Sequence, residues 1–170
     1  MTVPVLETSR LTMRGFRADD YDAGAAIVAD DETMRAVGRP AGLNEWEAWD
    51  DLSRLAGHWA LRGFGQWALE ERESGELVGR AGLICPADWP DLEVGWLVRS
   101  DRRGRGYATE AGAAAMRWAF EELGADHLVS LIAEDNAASR SVAEKLGEQP
   151  YATVTARGFE LTMFRVERDV

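Results

Sequence analysis

The chain has 170 residues, of which 46% are hydrophobic and 29% are charged, and its formal net charge is -11 at pH 7. This length and composition fit a folded globular protein with its own core and exclude an intrinsically disordered chain. The acidity argues against sequence-independent binding of DNA or RNA, which depends on neutralising phosphates, so we expect no nucleic-acid partner.

The first sixty residues predict one strand followed by three helices. Leu11–Arg14 alternates apolar and polar side chains, as a half-buried strand does. Asp19-Asp20 and Asn44 offer N-cap chemistry, and the helices are predicted over about 20–28, 32–37 and 45–61, with a break at Gly38–Gly42 before Asn44. Four apolar residues of the third helix fall at helical spacing, and we predict that they pack in the core: Trp46, Trp49, Leu52 and Leu55.

The rest of the chain predicts strands interspersed with two helices. Strands are expected at 66–71, 77–83, 92–98, 128–133, 151–155 and 159–166, with turns at Ser74-Gly75 and Arg157-Gly158. Helices are expected at 108–123, ending at Gly124, and at 137–146. This order predicts one α/β domain of the α+β kind over residues 1–170, with a mixed, mostly antiparallel sheet of six to seven strands.

Several features bear on the compartment and on metals. Cys85 is the only cysteine, and the two histidines, His58 and His127, lack ligand spacing, so no disulfide and no metal site are expected. The N-terminus has no signal-peptide pattern and no apolar run reaches membrane-span length, so we expect a cytoplasmic protein without a membrane partner. Arginine outnumbers the single lysine, Lys145, which suggests a GC-rich bacterial genome.

The stretch RGRGYA, residues 103–108, is a basic, glycine-rich turn that opens a helix. The unpaired N–H groups of a first helical turn, together with the helix dipole, form an anion site. Arg103 and Arg105 would add charge-assisted hydrogen bonds, although a solvated basic turn is an equally plain interpretation. A P-loop is excluded because no lysine is present, and a dinucleotide turn is disfavoured because Thr109 stands where the third glycine would be.

The same stretch resembles the pyrophosphate turn of the GCN5-related N-acetyltransferases, the GNAT superfamily, whose signature is Gln/Arg-x-x-Gly-x-Gly/Ala. Arg103-x-x-Gly106-x-Ala108 matches that signature. Two further segments, residues 93–98 and 135–147, resemble the family's fourth strand and its second cofactor-contacting segment. Residues 6–14 and 106–111 resemble its RimJ/RimL-type branch. The resemblance covers about residues 5–147.

The resemblance implies acetyl transfer from acetyl-CoA to a primary amine by direct attack in a ternary complex. It implies that the backbone of Arg103, Gly104, Arg105, Gly106, Tyr107 and Ala108 holds the pyrophosphate of coenzyme A. It also implies that the sheet splays between the family's fourth and fifth strands, so that the pantetheine arm lies between them. The residues that would contact the arm are Trp96, Leu97, Val98 and Asn136. An N–H group of the strand that contains residues 96–98 would polarise the thioester carbonyl. Asn136 is equally well explained as the N-cap of the following helix.

The catalytic residues that the resemblance implies are less regular. Glu93 is the candidate base, because the family often places a carboxylate on this strand, although Glu93 would also suit a cross-strand pair. Many members carry a tyrosine acid seven residues after the asparagine, where this chain has Ala143. The RimJ/RimL-type branch has a serine three residues after the asparagine, and Ser139 matches it. Glu148 departs from the family, which usually has an aromatic or apolar residue there.

The acceptor and the oligomeric state are open at the level of sequence. Residues 18–51 contain ten acids against two bases, which favours a cationic acceptor such as a protein N-terminus, a polyamine or an aminoglycoside-like amine. The missing tyrosine leaves a second hypothesis, a non-catalytic acyl-CoA-binding module on the same fold. A homodimer is common among relatives, so it is a further expectation.

Overall fold

The computed structural model describes residues 2–37, 41–156 and 158–168. Its strands are β1 Leu6–Glu7, β2 Leu11–Arg14, β3 Gln66–Glu71, β4 Leu77–Ile84, β5 Glu93–Val98, β6 His127–Ile132, β7 Gln149–Ala156 and β8 Phe159–Glu167. Its α-helices are α1 Tyr21–Ala29, α2 Asp31–Ala36, α3 Glu45–Arg62, α4 Tyr107–Trp118 and α5 Ala137–Lys145. The strands form one mixed sheet in the order β1-β2-β3-β4-β5-β6-β8-β7.

The mixed α/β class and the mostly antiparallel sheet are confirmed. The sheet has eight strands within the described residues, more than the six to seven predicted, because Leu6–Glu7 adds a short edge strand that pairs antiparallel with β2. Two predicted turns, at 38–42 and at 157–158, fall partly on residues outside the described ranges.

Each face of the sheet is covered by different helices. On one face α4 packs over a large apolar cluster that includes Leu69, Leu83 and Val94. The rings of Trp59, Trp67 and Trp118 meet edge to face in this cluster, with centroids 4.8–5.8 Å apart, a favoured geometry for aromatic packing. On the other face a second cluster joins α1, α2 and the start of α3 to β3, β4 and β5.

The predicted core packing of Trp46 and Trp49 is wrong. Trp46 is 71% exposed and Trp49 is 51% exposed. The buried stripe of α3 instead runs through Ala48, Asp51, Leu55 and Trp59, the i, i+3 and i+4 spacing of a single helical face. Asp51 can lie on that face because Arg54 and Arg80 pair with its carboxylate.

The junction of β5 and β6 positions the site. These two strands are parallel, and their ladder has one registered pair, Glu93↔Val129. The Val129 N–H donates to Leu92 O at 3.0 Å, and beyond this junction the strands separate. The sheet therefore opens into a fork whose closed end is at Glu93 and Val129. No helix in the described parts of the chain is long and apolar enough to cross a membrane.

Candidate active site

The turn before α4 has the geometry of an anion site. Gly104 and Gly106 have φ values of 73° and 83°, a region in which glycine is strongly favoured. Gly106 is the N-cap of α4, and no side chain caps this helix start. The N–H groups of the first turn are therefore available to an anion, and the helix dipole favours negative charge there.

The arginine side chains of the turn do not all face this helix start. Arg103 donates to Glu32 at 2.9 Å, to Thr33 Oγ1 at 2.7 Å and to Val98 O at 3.2 Å. It thereby fastens α2 to the end of β5, and the Arg103 N–H donates to Ser100 O at 3.3 Å. The N–H groups at the start of α4 therefore follow Arg103 in the chain. Arg105 is exposed, and the buried Tyr107 donates its hydroxyl to Glu71, which anchors the first residue of α4.

Arg10 is a cation at this helix start that the sequence analysis did not identify. Its guanidinium lies 4.7 Å from the centroid of the Tyr107 ring, donates to Arg105 O at 2.8 Å and pairs with Glu110 at 2.6 Å. A Cβ added to Gly106 would lie 3.4 Å from Arg10 Nη2. The signal was available only as part of the N-terminal resemblance, because the contact joins residues about 95 positions apart.

A cleft of ≈ 430 Å³ opens from the fork between β5 and β6. Of the predicted site residues, Glu93, Trp96, Leu97, Asn136 and Ser139 line it. Val98, the last residue of β5, is not part of its wall, and neither is the turn Arg103–Ala108, which follows β5 on the way to α4.

The backbone of β5 has two edges, and alternate residues serve each. Leu92 O and Val94 O accept hydrogen bonds from the β6 side, whereas the Arg99 N–H, just after β5, donates to Val78 O of β4. By this alternation the backbone groups of Trp96 and Val98 face the open side of the fork, and those of Leu97 face β4. The predicted pairing with a pantetheine arm thus narrows to Trp96 and Val98.

Glu93 lies at the closed end of the fork. It is 8% exposed, its Oε2 accepts a hydrogen bond from Trp89 Nε1 at 2.6 Å, and its Oε1 lies 3.4 Å from the Leu131 N–H that donates to it. Its side chain lies on the same face as Gly95, next to Gln66. The carboxyl group is thus held by N–H donors at the wall of the cleft.

The start of α5 brings Asn136 and Ser139 to the other side of the cleft. Asn136 Oδ1 accepts from the Ser139 N–H at 3.0 Å, so Asn136 is the N-cap of α5. Capping and contact with a ligand are compatible, because Asn136 also has an amide nitrogen to donate. Ala143, further along α5, is fully buried and carries no acidic proton.

Ser130 and Glu148 are a buried polar pair that was not predicted as part of the site. Ser130 lines the cleft, and its Oγ lies 2.7 Å from Val94 O and 3.0 Å from Glu148 Oε1. Glu148 is 0% exposed, and burial raises its pKa to about 7. The departure of Glu148 from the family pattern was visible in the sequence, but its contact with Ser130 depends on the pairing of distant strands.

The wall of the cleft also carries basic side chains. Arg54 and Arg80 line it, and both pair with Asp51. None of the ten acidic residues between positions 18 and 51, all of them described, belongs to its wall. Two of those ten are buried in ion pairs, Asp20 with Arg14 and Asp51 with the two arginines of the wall.

Comparison with known proteins gives matches over nearly the whole chain. The family model described as acetyltransferase (GNAT) domain matches residues 10–149. An acetyltransferase from Agrobacterium tumefaciens of known structure is 31% identical, with a TM-score of 0.89 over 99% of this chain and 96% of that one. The uncharacterized N-acetyltransferase YoaA of Bacillus subtilis is 26% identical over 147 residues, 86% of this chain and 83% of that protein.

A more distant structure shares the fold. RimL, a ribosomal L7/L12 alpha-N-protein acetyltransferase solved in complex with coenzyme A, is 14% identical, with a TM-score of 0.76 over 96% of this chain and 98% of that one.

Proposed function

This chain belongs to the GNAT family of acetyltransferases and is an acyltransferase, and we propose that it moves an acetyl group from acetyl-CoA to a primary amine by direct attack in a ternary complex. The observation that carries the proposal is the helix start at Gly106, which no side chain caps, next to the open edge of β5. Together they offer an anion site and a strand edge in line, which suits a long ligand with a phosphate-bearing end.

The pyrophosphate of coenzyme A would bind the backbone of Arg103, Gly104, Arg105, Gly106, Tyr107 and Ala108. Support comes from the positive φ values of Gly104 and Gly106 and from the guanidinium of Arg10 beside the helix start. A phosphate held by N–H groups of a first helical turn has a favourable interaction with the helix dipole.

The pantetheine arm would lie in the fork. Since β5 leads into the turn before α4, the arm would run along β5 from Val98 toward Glu93. The backbone groups of Trp96 and Val98 would pair with its amides, and Asn136 would contact it from the opposite wall. From Val98 to Val94 the strand spans about 13 Å. The reactive end of an arm that follows this stretch of β5 would lie near Val94, at the closed end of the fork.

Glu93 would act as the base at that closed end. A primary amine is protonated at neutral pH and attacks only after losing a proton. The oxygens of Glu93 already accept N–H donors from Trp89 and Leu131, which holds the carboxyl group in one position at the wall of the cleft. The proton would pass to Glu93 directly or through one water molecule.

The acceptor is proposed as a protein N-terminus or a small cationic amine. The net charge of -11 favours approach of a cation from solution. Two arginines, Arg54 and Arg80, lie in the wall. They favour an acceptor in which the group joined to the amine is not itself positively charged.

The test is an acetylation screen with mass-spectrometric detection, with N-terminal peptides of ribosomal proteins, polyamines and aminoglycosides as acceptors. Calorimetry with coenzyme A runs in parallel. We expect micromolar binding and amine-dependent release of thiol. Binding without thiol release against the whole panel would favour the alternative, a non-catalytic acyl-CoA-binding module.

A matched pair of variants tests the phosphate site. Gly106→Asp places a carboxylate at the helix start and should abolish coenzyme A binding. A short π-helix, Ala119–Leu123, continues α4 and ends at Gly124. Gly124→Asp makes the same change there, at a glycine with a similar φ of 72°, and should retain binding. Micromolar affinity in Gly106→Asp would refute the assigned site.

A further inference from the structure

Glu148 is a fully buried carboxyl group that has no role in the mechanism proposed above. It follows the end of α5, and its N–H donates to Ala143 O at 3.0 Å. Its side chain is 0% exposed. Ser130, in the middle of β6, is its hydrogen-bonding partner, and the other carboxyl oxygen, Oε2, has none.

The surroundings of this pair are apolar. Ser130 is paired across the sheet with Phe164, which clusters with Ile132 and Ala143. Burial raises the pKa of Glu148 to about 7, and the hydrogen bond with Ser130 opposes that rise only in part.

The charged groups of the elements that pack here contact other residues, are exposed, or lie on the other face of the sheet. On α5, Arg140 lies over the Phe164 ring and donates to Thr162, and Glu144 and Lys145 are exposed. On β8, Arg165 pairs with Glu167. On β5, Glu93 points to the opposite face from Val94, because successive side chains of a strand alternate. None of them is a cause of the raised pKa.

A count of hydrogens assigns the protonation state. Ser130 Oγ lies within hydrogen-bond distance of two oxygens, Val94 O and Glu148 Oε1, yet a hydroxyl carries one hydrogen. If Glu148 is protonated, its Oε1–H donates to Ser130 Oγ, and Ser130 donates to Val94 O, so both contacts are satisfied. If Glu148 is ionised, one contact is left between two acceptors, and Oε2 is a buried charged oxygen without a donor, which is costly.

The position of Ser130 connects this pair to the cleft. Ser130 lines the cleft next to Val129, the residue at the closed end of the fork. If the pantetheine arm lies in the fork as proposed above, its sulfur would lie near Val94, whose carbonyl Ser130 already contacts.

We propose that Ser130 protonates the coenzyme A sulfur when the C–S bond breaks, and that Glu148 replaces the proton that Ser130 has given up. This inference rests on the proposed function. The amine nitrogen forms the new N–C bond, and the electron pair of the C–S bond goes to sulfur. Ser130 gives its hydroxyl hydrogen to sulfur and takes the Oε1 hydrogen of Glu148. Two protons leave the ammonium nitrogen by way of Glu93 and water; one restores Glu148 through Ser130, and one goes to solvent. Ser130 is thus a catalytic residue, and Glu148 is a positioning residue that acts through it.

The kinetic test is Glu148→Gln, which keeps the shape and an N–H donor toward Ser130 but supplies no proton. We expect kcat to fall about a hundredfold, the contribution of general acid catalysis, with coenzyme A affinity unchanged. In the parent enzyme kcat should decline above about pH 7, the pKa of Glu148, and this alkaline limb should be absent in Glu148→Gln. Glu144→Gln, an exposed substitution on α5, is the matched control and should leave both unchanged.

A second readout needs neither coenzyme A nor activity. The readout is the NMR spectrum of protein that carries ¹³C-labelled glutamate carboxyls. The Glu148 resonance is identified as the one that is missing in Glu148→Gln, and in the parent protein it should titrate near pH 7. Should Glu148→Gln fail to fold, Ser130→Ala severs the same link and should lose the same alkaline limb, while Ser130→Thr should restore it.

The outcomes separate this inference from the proposed function. Titration of Glu148 near its ordinary value of 4.5, or an unchanged kcat and alkaline limb in Glu148→Gln and Ser130→Ala, overturns the role of the pair while acetyl transfer stands. If the parent protein binds no coenzyme A, the proposed function fails and the proton donation falls with it, even if the carboxyl titrates near pH 7.

Discussion

Two buried carboxyl groups, Glu93 and Glu148, lie on opposite sides of the fork and differ in what surrounds them. Glu93 accepts hydrogen bonds from two N–H groups, those of Trp89 and Leu131. N–H groups only donate, so the oxygens of Glu93 act as acceptors in these two contacts. Glu148 has a hydroxyl beside one oxygen and no partner at the other, an arrangement that suits the neutral acid.

The difference shows how one fold can supply both a base and an acid at the same pH. Acid and base roles are set by environments that separate the protonation states of nearby groups. In the proposed mechanism Glu93, which accepts from Trp89 and Leu131, takes the role of the base. Glu148, beside Ser130, takes the role of the acid. Substitutions at one of the two carboxyl groups should therefore leave the other intact.

The largest expected effect comes from removing the proposed base. Glu93→Gln keeps an acceptor for Trp89 but cannot take a proton, so kcat/KM should fall by about 10² to 10⁴, the usual contribution of general base catalysis. Steady-state kinetics measures the fall, and calorimetry should give unchanged coenzyme A affinity.

The control for Glu93 is Asp91→Asn, two residues earlier. Asp91 pairs with His127 and does not line the cleft, so its neutralisation should leave kcat/KM within a few-fold of the parent value. A Glu93→Gln enzyme as active as Asp91→Asn would assign the base to another residue or to water.

The next effect concerns stability, and it isolates Glu148. The pKa of this carboxyl is raised from 4.5 to about 7 in the folded protein, so the folded state holds the proton in a pH range where the unfolded chain has lost it. The contribution of Glu148 to stability is therefore fully present below about pH 4.5 and is lost as pH rises to about 7, a loss of about 3 kcal/mol at ~1.4 kcal/mol per pKa unit. Glu148→Gln should lack this decline. Denaturant unfolding of both proteins at pH 5 and pH 8 measures it.

The buried Asp20 gives the opposite sign and serves as the contrast. Its burial is outweighed by hydrogen bonds from Arg14 and from the Arg17 N–H, so its pKa is lowered from 3.8. Its contribution to stability is present above about pH 4 and is lost as pH falls further, so Asp20→Asn should leave the change between pH 5 and pH 8 unaltered. A parent protein with no decline between those pH values would contradict the neutral state of Glu148.

The glycine turn that we propose as the coenzyme A site was predictable from the sequence as an open helix start, since that geometry depends on local rules. A glycine turn before a helix leaves N–H groups unpaired whatever lies around it, and residues 103–108 are contiguous. The strand and helix bounds were close for the same reason, because periodicity and caps are local: Asn44 caps α3 with a reciprocal bond from Glu47, as its type and spacing indicate.

The rest of the site depends on contacts between distant residues, and there the sequence was insufficient. Ser130 reads as an ordinary polar residue in a strand, and only the fold places it against Glu148. Arg103 reads as an anion ligand, but α2 brings Glu32 and Thr33 to its guanidinium. The exposed Trp46 and Trp49 were misplaced because a buried charge, Asp51, forms part of the true helical face, and charge is rare in a core unless paired.

The two serines of the cleft give a smaller and sharper comparison. Ser139 is the serine that the family resemblance indicates, and its N–H is bonded to Asn136. If Ser130 is the proton donor, Ser139→Ala should remove at most one hydrogen bond to the ligand and lower kcat about fivefold, near 1 kcal/mol. Its pH profile should keep the alkaline limb. A loss of that limb in Ser139→Ala, measured over pH 6 to 9, would move the acid from the Glu148 side of the fork to the start of α5.

The smallest expected effect concerns the charge of Arg54, which lies with Glu93 in the wall of the cleft. Arg54 is 40% exposed at its side chain and shares Asp51 with Arg80, so removing it leaves Asp51 paired. For a polyamine acceptor, Arg54→Ala deletes a like charge, and KM should fall about threefold, the size of one partly exposed charge interaction. For an acceptor that carries a carboxylate beside its amine, KM should rise by a similar factor. Because surface charge interactions weaken with salt, either change should shrink as ionic strength increases. A change that persists in high salt would mean that Arg54 contacts the acceptor through packing of its side-chain stem, and the charge of this wall would then say nothing about the acceptor class.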